Sequence, residues 1–277
     1  MPRPRADRPP APVVLCLRPV TEERKPSAHD QDLARAFDAQ AEAFEKAKVS
    51  RDAASLARLV DFAALPRGAR LVDAGCGPGL VAEAFLEAGC EVLGVDLSAE
   101  MVHRARERCA RFGARARFEQ RSIFDLDLPA AFDASVSRNV LHHLESPLAF
   151  VSRQASLLRP GGVVVALDLS GDPDPARGDW ARAVERARDR THTRTLTPGE
   201  MVDVFAAAGL GELTLREEGI ELDFDEWFDR GSPAAPKEEV RRLLLAGDSR
   251  GFSPLPRPDG GVGIRCLRAA VRGVKRA

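Results

Sequence analysis

The sequence predicts an α/β fold built on a mostly parallel seven-stranded sheet, with helices on both faces, an antiparallel strand at the C-terminal edge and a helical N-terminal cap. Between residues 69 and 170, apolar stretches of strand length alternate with amphipathic stretches of helix length. Parallel strands need crossover connections, which are usually helices, so this alternation favours a parallel sheet. After residue 172 the alternation stops, and two late strand-like stretches are separated by a long excursion. This arrangement favours an antiparallel addition at one edge.

The N-terminal cap is predicted from helical periodicity. Apolar residues recur at spacings of three and four from about Gln31, at Leu33, Phe37, Ala41 and Phe44. A second helical stretch, AASLARLVDFAAL, stops at the sequence PRG, so residues 31–65 are predicted to form the cap. Residues 1–30 are rich in Arg and Pro and lack the apolar core of a signal peptide, which favours a flexible leader.

The alternating region supplies the central elements. Five stretches have the apolar character of buried strands: ARLVDAG, EVLGVDL, ARARFEQRSI, FDASVSRNV and GVVVALDLS. Three stretches between them have helical periodicity: GLVAEAFLEAG, SAEMVHRARERCARF and SPLAFVSRQASLL. Ser98 is a suitable N-cap for the second of these helices, and Gly113 lies near its end.

The C-terminal third combines helices with two alternating strands. Helical patterns occur in WARAVERARDR and PGEMVDVFAAAG, while FDEWFDR and KEEVRRLLLAG have the pattern of short helices or loops. The stretch LGELTLREEGIEL alternates like a half-exposed strand, and VGIRCLRAAVRG is predicted to pair with it. We therefore predict a single domain over residues 31–277, with helical insertions on the substrate side at residues 170–260.

Composition argues against several classes of function. The 277 residues are 44% hydrophobic and 30% charged, as in globular proteins that bury a core. The net charge of −1 gives no basic field for nucleic acid or membrane surfaces. No stretch approaches the roughly 18 apolar residues of a membrane span. Five scattered cysteines without a CxxC pair argue against a disulfide framework and a zinc site, and they favour the cytoplasm. We expect a monomer or homodimer that acts on a small molecule.

The most informative segment is LVDAGCGPGL, which follows the first predicted strand. In an open parallel sheet, ligands bind beyond the carboxyl ends of the strands, where the next helix directs its free N–H groups. Gly75, Gly77 and Gly79 allow positive φ and leave no Cβ between backbone and ligand. Their spacing is GxGxG rather than the GxGxxG of dinucleotide sites. Asp73 before the loop and Asp96 after the next strand favour a ribose and a positively charged ligand over a pyrophosphate.

Four motifs have the order and spacing found in class I methyltransferases that use S-adenosylmethionine: VDAGCGPG, GVDLSAEM, FDASVSRNVLHHLESP and LLRPGGVVVALD. The chain resembles this family over roughly residues 31–170, and more weakly through RTHTRTLTPGEMVDVFAAAGL and FDEWFDR. It is similar to the small-molecule branch that methylates ubiquinone and menaquinone precursors. The resemblance implies a Rossmann-like fold, S-adenosylmethionine as cofactor and S-adenosylhomocysteine as product.

The resemblance also implies a role for the residues around the glycine loop. The three glycines would admit the aminoacyl end of the cofactor. Cys76 within the loop is a candidate cofactor contact, and the alternative is a small side chain that fits the loop. Asp73 would lie near its ammonium or sulfonium group, and Asp96 would hold the ribose. Leu97 and Met101 would flank the adenine.

Two further parts of the cofactor site follow the third and fourth predicted strands. Ser122 stands where an acid is usual in the family, with Ile123 next, so the contact to the adenine amino group falls to Ser122 or to Asp125. Arg138 and Asn139 would line the methionine side of the cofactor.

Aromatic residues are candidates for the acceptor side. Phe37 and Phe44 match an N-terminal helix that often covers the cofactor in related enzymes, and Phe44 stands where a tyrosine is common. Trp227 is a candidate wall residue for an aromatic acceptor. Packing in the core is the alternative for all three.

Three histidines are candidates for proton transfer because imidazole titrates near neutral pH. His142 and His143 follow the fourth predicted strand at the pocket edge, and one of the two is expected to face the substrate. His192 lies in the variable part of the chain and is a candidate base or substrate contact. Hydrogen bonding that fixes the loop is the alternative, and His29 and His103 are expected to be structural or surface residues.

These observations predict transfer of a methyl group from S-adenosylmethionine to a small organic acceptor, with a hydroxyl oxygen of an aromatic, quinol or specialised metabolite favoured. The alternatives are methylation at carbon or nitrogen, a protein that binds S-adenosylmethionine without methylating, and a nucleotide-dependent oxidoreductase, which the GxGxG spacing disfavours.

Overall fold

The computed structural model describes residues 27–276, which form eight strands and nine α-helices. The strands are β1 (Arg70–Ala74), β2 (Glu91–Asp96), β3 (Ala116–Gln120), β4 (Phe132–Arg138), β5 (Leu158–Leu169), β6 (Leu210–Asp223), β7 (Phe252–Pro256) and β8 (Val262–Lys275). The helices are α1 (Ala28–Lys46), α2 (Ala53–Ala63), α3 (Leu80–Glu87), α4 (Ala99–Cys109), α5 (Pro147–Leu157), α6 (Pro175–Arg188), α7 (Pro198–Ala207), α8 (Phe224–Asp229) and α9 (Lys237–Leu245).

All eight strands belong to one sheet with the order β3-β2-β1-β4-β5-β8-β6, and β7 pairs with β8. The first five strands in this order are parallel, whereas β8 runs antiparallel to β5 and to β6. The predicted α/β fold and its late antiparallel pairing are confirmed. The antiparallel strand β8 lies one place inside the edge, which is formed by β6, and the β6–β8 pairing shifts register between Gly211 and Thr214.

The predicted count of seven strands is wrong by one, because β7 forms a hairpin with β8 through residues 257–261. Its sequence FSPLP contains two prolines, which cannot donate hydrogen bonds to a ladder and therefore weaken the strand pattern. In the structure β7 lies on the same side of β8 as β5 does, beyond the end of β5.

Helix α1 begins earlier than the periodicity suggested. Ser27 accepts a hydrogen bond from the backbone N–H of Asp30, and the Asp30 side chain accepts one from the Ser27 N–H, which is a complete capping box. Residues 28–30 of the predicted leader therefore belong to α1, and residues 1–26 lie outside the described part of the chain.

Polar contacts attach α1 to the start of α4. The Asp38 carboxylate accepts from Ser98 Oγ at 2.6 Å and from the Glu100 N–H at 3.1 Å. Glu45 pairs with Arg104 at 2.6 Å and with Arg108 at 2.7 Å. These contacts hold α1 across the carboxyl end of the sheet.

Hydrophobic cores cover both faces of the sheet. Neighbouring residues of β1 point to opposite faces, so Leu71 packs with α2, α3 and α4 while Val72 packs with α5 and α7. A third cluster joins α6, α8, α9 and the β7–β8 hairpin. Among the described residues, no helix has the length and apolar character needed to cross a membrane.

Replacing Gly94 of β2 with alanine is expected to destabilise the fold by about 1–3 kcal/mol, the usual cost of overpacking. A Cβ at this position would lie 2.5 Å from Phe118 Cδ1 and 3.0 Å from Cys76 Sγ. The matched control is Gly219→Ala in β6, where the nearest atom, Leu267 Cδ2, is 4.0 Å away. Urea unfolding of both variants measures the difference, and equal midpoints would contradict the packing argument.

Candidate functional site

The glycine loop after β1 adopts backbone angles that favour glycine. Gly75, Gly77 and Gly79 have φ values of 74°, 51° and 81°. A Cβ at Gly75 would lie 2.7 Å from Val140 Cγ2, so the packing of Val140 also leaves no room for a side chain at this position. At Gly77 the nearest atom to such a Cβ is Met101 Sδ at 4.0 Å, so within the described residues the missing side chain leaves open space.

That space belongs to a cavity of about 330 Å³ at the carboxyl end of the parallel strands, between the loop and α1. It is within the usual size of a small-molecule site. Most residues predicted from the sequence line it: Phe37, Phe44, Gly75, Cys76, Gly77, Asp96, Leu97, Met101, Ser122, Ile123, Arg138 and His143. Asp73, Gly79, His142, His192 and Trp227 are not among its lining residues.

Asp96 ends β2 and organises the loop. Its Oδ2 accepts from the Gly77 N–H at 2.9 Å, and its Oδ1 accepts from the Ser98 N–H at 2.9 Å. A carboxylate has about four acceptor positions, so each oxygen keeps one for a ligand. Burial raises the pKa of Asp96, and the hydrogen bonds from Ser98 and Gly77 oppose that rise.

Asp73, at the end of β1, is a buried carboxylate whose two oxygens have no hydrogen-bond partner among the described residues. Burial and then the charge of Asp96 raise its pKa to about 7. A buried polar group without a hydrogen-bond partner lowers the free energy of unfolding. Such groups are often found at ligand sites. The position of Asp73 behind the glycine loop suits a cationic ligand.

Arg138 ends β4 and Asn139 follows it, and both residues line the cavity. The Arg138 guanidinium donates to the carbonyls of Val49 and Ser50 at 3.0 Å each, which fixes the connection between α1 and α2. Asn139 has a φ of 58°, and its Oδ1 has no partner among the described residues. Strained backbone and unpaired polar atoms of this kind cluster at functional sites.

The three candidate histidines form one buried group, but only His143 lines the cavity. The His142 and His143 rings lie 4.1 Å apart, and the His142 and His192 rings 5.4 Å apart. His142 Nδ1 lies 2.5 Å from Asp168 Oδ1. Burial lowers the pKa of His142, but the Asp168 charge and hydrogen bond outweigh burial and raise it.

His143 is neutral at ordinary pH. Burial, and then the charge of His142, lower the pKa of His143 to about 3. His192 lies behind His142, with Nδ1 4.0 Å from Glu185 Oε2 and Nε2 3.3 Å from Thr195 Oγ1, and burial lowers its pKa as well. The structure therefore brings His143, and not His192, to the site.

Trp227 does not form a wall of the cavity. It is 3% exposed and packs in the third hydrophobic cluster, with ring centroids 5.8 Å from Phe224 and 5.6 Å from Phe252. Its carbonyl accepts two hydrogen bonds from Arg188. More broadly, the predicted substrate-side insertions at residues 170–260 supply none of the cavity lining.

Sequence reasoning missed His29, which was expected to be structural or on the surface. His29 lines the cavity, and its Nε2 lies 2.7 Å from the His143 carbonyl oxygen. The capping box at Ser27 and Asp30 was the signal that could have placed it on α1. Of the two candidates for the adenine contact, Ser122 lines the cavity and Asp125 does not.

The wild-type protein is expected to lose stability as the pH rises from about 4 to about 7, and replacing Asp73 with asparagine should abolish this loss. In the unfolded chain the carboxyl group titrates near its ordinary value of 3.8, whereas in the folded protein the pKa is about 7. Between these two pH values the folded state keeps the proton and the unfolded state loses it. The free energy of unfolding is therefore greatest at low pH and falls as the pH rises through the folded pKa. An asparagine side chain does not titrate.

Urea unfolding of the ligand-free protein near pH 5 and near pH 8 measures this difference. The wild type should lose more stability between the two pH values than Asp73→Asn does. The exposed Asp61→Asn serves as the matched control. Parallel pH dependence of the wild type and Asp73→Asn would contradict the assignment.

Known proteins with similar sequences are methyltransferases. Residues 48–214 match the family model described as a methyltransferase domain. An uncharacterized methyltransferase of Bacillus subtilis (strain 168), YcgJ, is 28% identical over 247 residues, which cover 87% of this chain and 98% of that protein. A ubiquinone biosynthesis O-methyltransferase of Xanthomonas campestris pv. campestris (strain B100) is 38% identical over 112 residues, which cover 40% of this chain and 46% of that protein. The match therefore spans about half of that enzyme.

Solved structures show the same fold. The crystal structure of the Bacillus YcgJ protein has a TM-score of 0.72 at 24% identity and covers 81% of this chain and 99% of that one. A Haemonchus contortus phosphoethanolamine N-methyltransferase 2, crystallised with S-adenosyl-L-methionine, has a TM-score of 0.65 at 17% identity and covers 91% of this chain and 60% of that one. The predicted Rossmann-like architecture is confirmed.

Proposed function

This chain belongs to the methyltransferase-domain family and is an S-adenosylmethionine-dependent methyltransferase, and we propose that its acceptor is a small organic molecule methylated at a hydroxyl oxygen. An aromatic, quinol or specialised metabolite is the favoured acceptor. The observation that carries the proposal is one cavity that joins the glycine loop and the Asp96 carboxylate to the neutral His143, with the buried Asp73 carboxylate behind the loop.

The residues present fit the donor. Asp96 keeps acceptor positions for vicinal ribose hydroxyls, beside the open space at Gly77. Asp73, buried behind the loop and outside the cavity lining, places an unpaired carboxylate on the side expected for the cationic end. Leu97, Met101 and Ile123 supply apolar surface for a flat base.

When bound, S-adenosylmethionine supplies a methyl group on a positively charged sulfur, and the acceptor's lone pair forms the new bond to carbon while the carbon–sulfur electron pair stays on sulfur. The protein's main contribution is alignment of the two reactants at near-attack distance. Phe37 and Phe44 of α1, with ring centroids 5.7 Å apart, supply apolar surface to the cavity. The single domain with its helical cap remains our proposal for the organisation of the chain.

The residues on the acceptor side of the cavity favour an acceptor that reacts through a hydroxyl group. Hydroxyl acceptors must lose a proton during transfer, and a neutral imidazole can receive it. His143 is neutral, lines the cavity and meets Phe37 edge to face with ring centroids 5.0 Å apart. An aromatic acceptor could lie against the same apolar surface.

The test uses purified protein, methyl-labelled S-adenosylmethionine and a panel of phenols, quinols and amines. Label on the oxygen of phenols or quinols is the expected result, and Asp96→Ala provides the background. Label confined to nitrogen or carbon would overturn the hydroxyl assignment. Tight binding of S-adenosylmethionine with no transfer to any acceptor would favour a binding protein.

A further inference from the structure

A buried hydrogen-bond chain reaches the cavity through His143. His143 Nδ1 lies 3.0 Å from Thr191 Oγ1 and 3.3 Å from the Thr191 carbonyl oxygen. Thr191 Oγ1 donates to Asp189 Oδ1 at 2.6 Å, and the Thr191 N–H donates to the same oxygen at 3.0 Å. Asp189 is 1% exposed, and its Oδ2 accepts from Arg188 Nη1 at 3.2 Å.

Arg188 in turn is held in place by α8. Its Nε and Nη2 donate to the Trp227 carbonyl at 2.8 Å and 2.6 Å, and its guanidinium lies over the Trp227 ring. The chain of contacts therefore runs from the third hydrophobic cluster to the cavity. Each member is buried, so its geometry is fixed by packing as well as by hydrogen bonds.

The hydrogens available along this chain of contacts determine which ring nitrogen of His143 is protonated. A threonine hydroxyl has one hydrogen, and the Thr191 hydroxyl gives it to the Asp189 carboxylate. Thr191 Oγ1 can then only accept from His143, and the Thr191 carbonyl can only accept as well. Both contacts require a hydrogen on Nδ1, so in the neutral ring Nε2 carries the lone pair.

Nε2 is the atom available to a ligand. It makes no hydrogen bond to any described residue, and His143 lines the cavity beside Phe37. We propose that Thr191 and Asp189 are positioning residues that hold His143 as the Nδ1–H tautomer, so that Nε2 accepts the proton of the acceptor's hydroxyl group. This inference rests on the proposed function.

The proton that the acceptor loses passes to His143. As the acceptor oxygen forms its bond to the methyl carbon it becomes an oxonium, and its O–H bond then breaks with the electron pair remaining on oxygen. The proton goes to His143 Nε2, which gives an imidazolium ion. An oxonium is a far stronger acid than any imidazolium, so a weakly basic ring suffices once the carbon–oxygen bond has begun to form.

The test reads the tautomer directly. Protein labelled with ¹⁵N-histidine is examined by long-range ¹H–¹⁵N correlation near pH 7, with His143→Gln used to assign the His143 signals. The wild type should show a protonated Nδ1 and an unprotonated Nε2. Thr191→Val keeps the side-chain volume but removes the Oγ1 acceptor, so its spectrum should show an increased Nε2–H population.

Kinetics provide the second readout. Thr191→Val should lower kcat for a hydroxyl acceptor by about 10- to 100-fold, within the range of general base catalysis, with the Kd for S-adenosylmethionine unchanged. Thr191→Ser should restore both the tautomer and kcat, and Thr214→Val on exposed β6 controls for the substitution itself. If Thr191→Val does not fold, Thr191→Ala carries the same comparison.

Two results would overturn the inference: an Nε2–H tautomer in the wild type, or an unchanged tautomer and kcat in Thr191→Val. Because the tautomer is read without any acceptor, its failure is distinct from failure of the proposed function. A wild type that methylates no hydroxyl would refute the function and leave the positioning of His143 as measured.

Discussion

Replacing Asp96 with alanine is expected to weaken binding of S-adenosylmethionine by about 1–3 kcal/mol, or roughly 5- to 150-fold in Kd. The substitution removes the acceptor for the ribose hydroxyls. It also leaves the N–H groups of Gly77 and Ser98 without the oxygens that hold the loop in place. Both effects act on the same ligand, so this should be among the most damaging single changes at the site.

Isothermal titration with S-adenosylmethionine measures the effect. Asp61→Ala, on the exposed side of α2, is the matched control and should bind like the wild type. A Kd for Asp96→Ala equal to that of the control would remove Asp96 from the donor site.

Replacing Gly77 with alanine is expected to weaken donor binding by about tenfold or more, while costing the fold about 1–2 kcal/mol for a left-handed alanine. Within the described part of the chain a Cβ there has room, with Met101 Sδ 4.0 Å away. The added methyl group would instead occupy space in the cavity.

Gly68→Ala provides the control for backbone strain. Gly68 has a φ of 81°, no described atom lies within 4 Å of its would-be Cβ, and it lies before β1 at the opposite end of the sheet. Both variants should lose similar stability in urea unfolding, but only Gly77→Ala should lose affinity in titration. Equal affinities would show that the donor does not approach the loop at Gly77.

The sequence predicts most strongly where a local pattern has one physical solution. The strand before Gly75 and the positive φ angles of the loop follow from apolar runs and from glycine's freedom. The ends of neighbouring parallel strands must meet, so Asp73 and Asp96 were placed near each other without a structure. The ligand roles of these residues stay predictions until binding is measured.

Tertiary packing decided the rest. Trp227 has the same local pattern whether it lines a cavity or fills a core, and only the placement of α8 against β7 and β8 distinguishes the two. Similarly, the contact between His143 and Thr191 joins residues 48 apart in the chain. No spacing rule relates a turn after β4 to the loop after α6, so their hydrogen bonds could not be predicted.

The edge strand β6 bears on how the protein behaves at high concentration. An open edge presents unpaired backbone groups that can recruit a strand from another molecule. Here the register shift near Gly211 interrupts the β6 ladder, and exposed charged side chains follow along it: Glu212, Arg216, Glu217 and Glu221. A strand from a second copy would have to pair beside these exposed charged side chains, which disfavours its addition to the edge. Within the described residues, these features of β6 disfavour strand-to-strand association at this edge of the sheet.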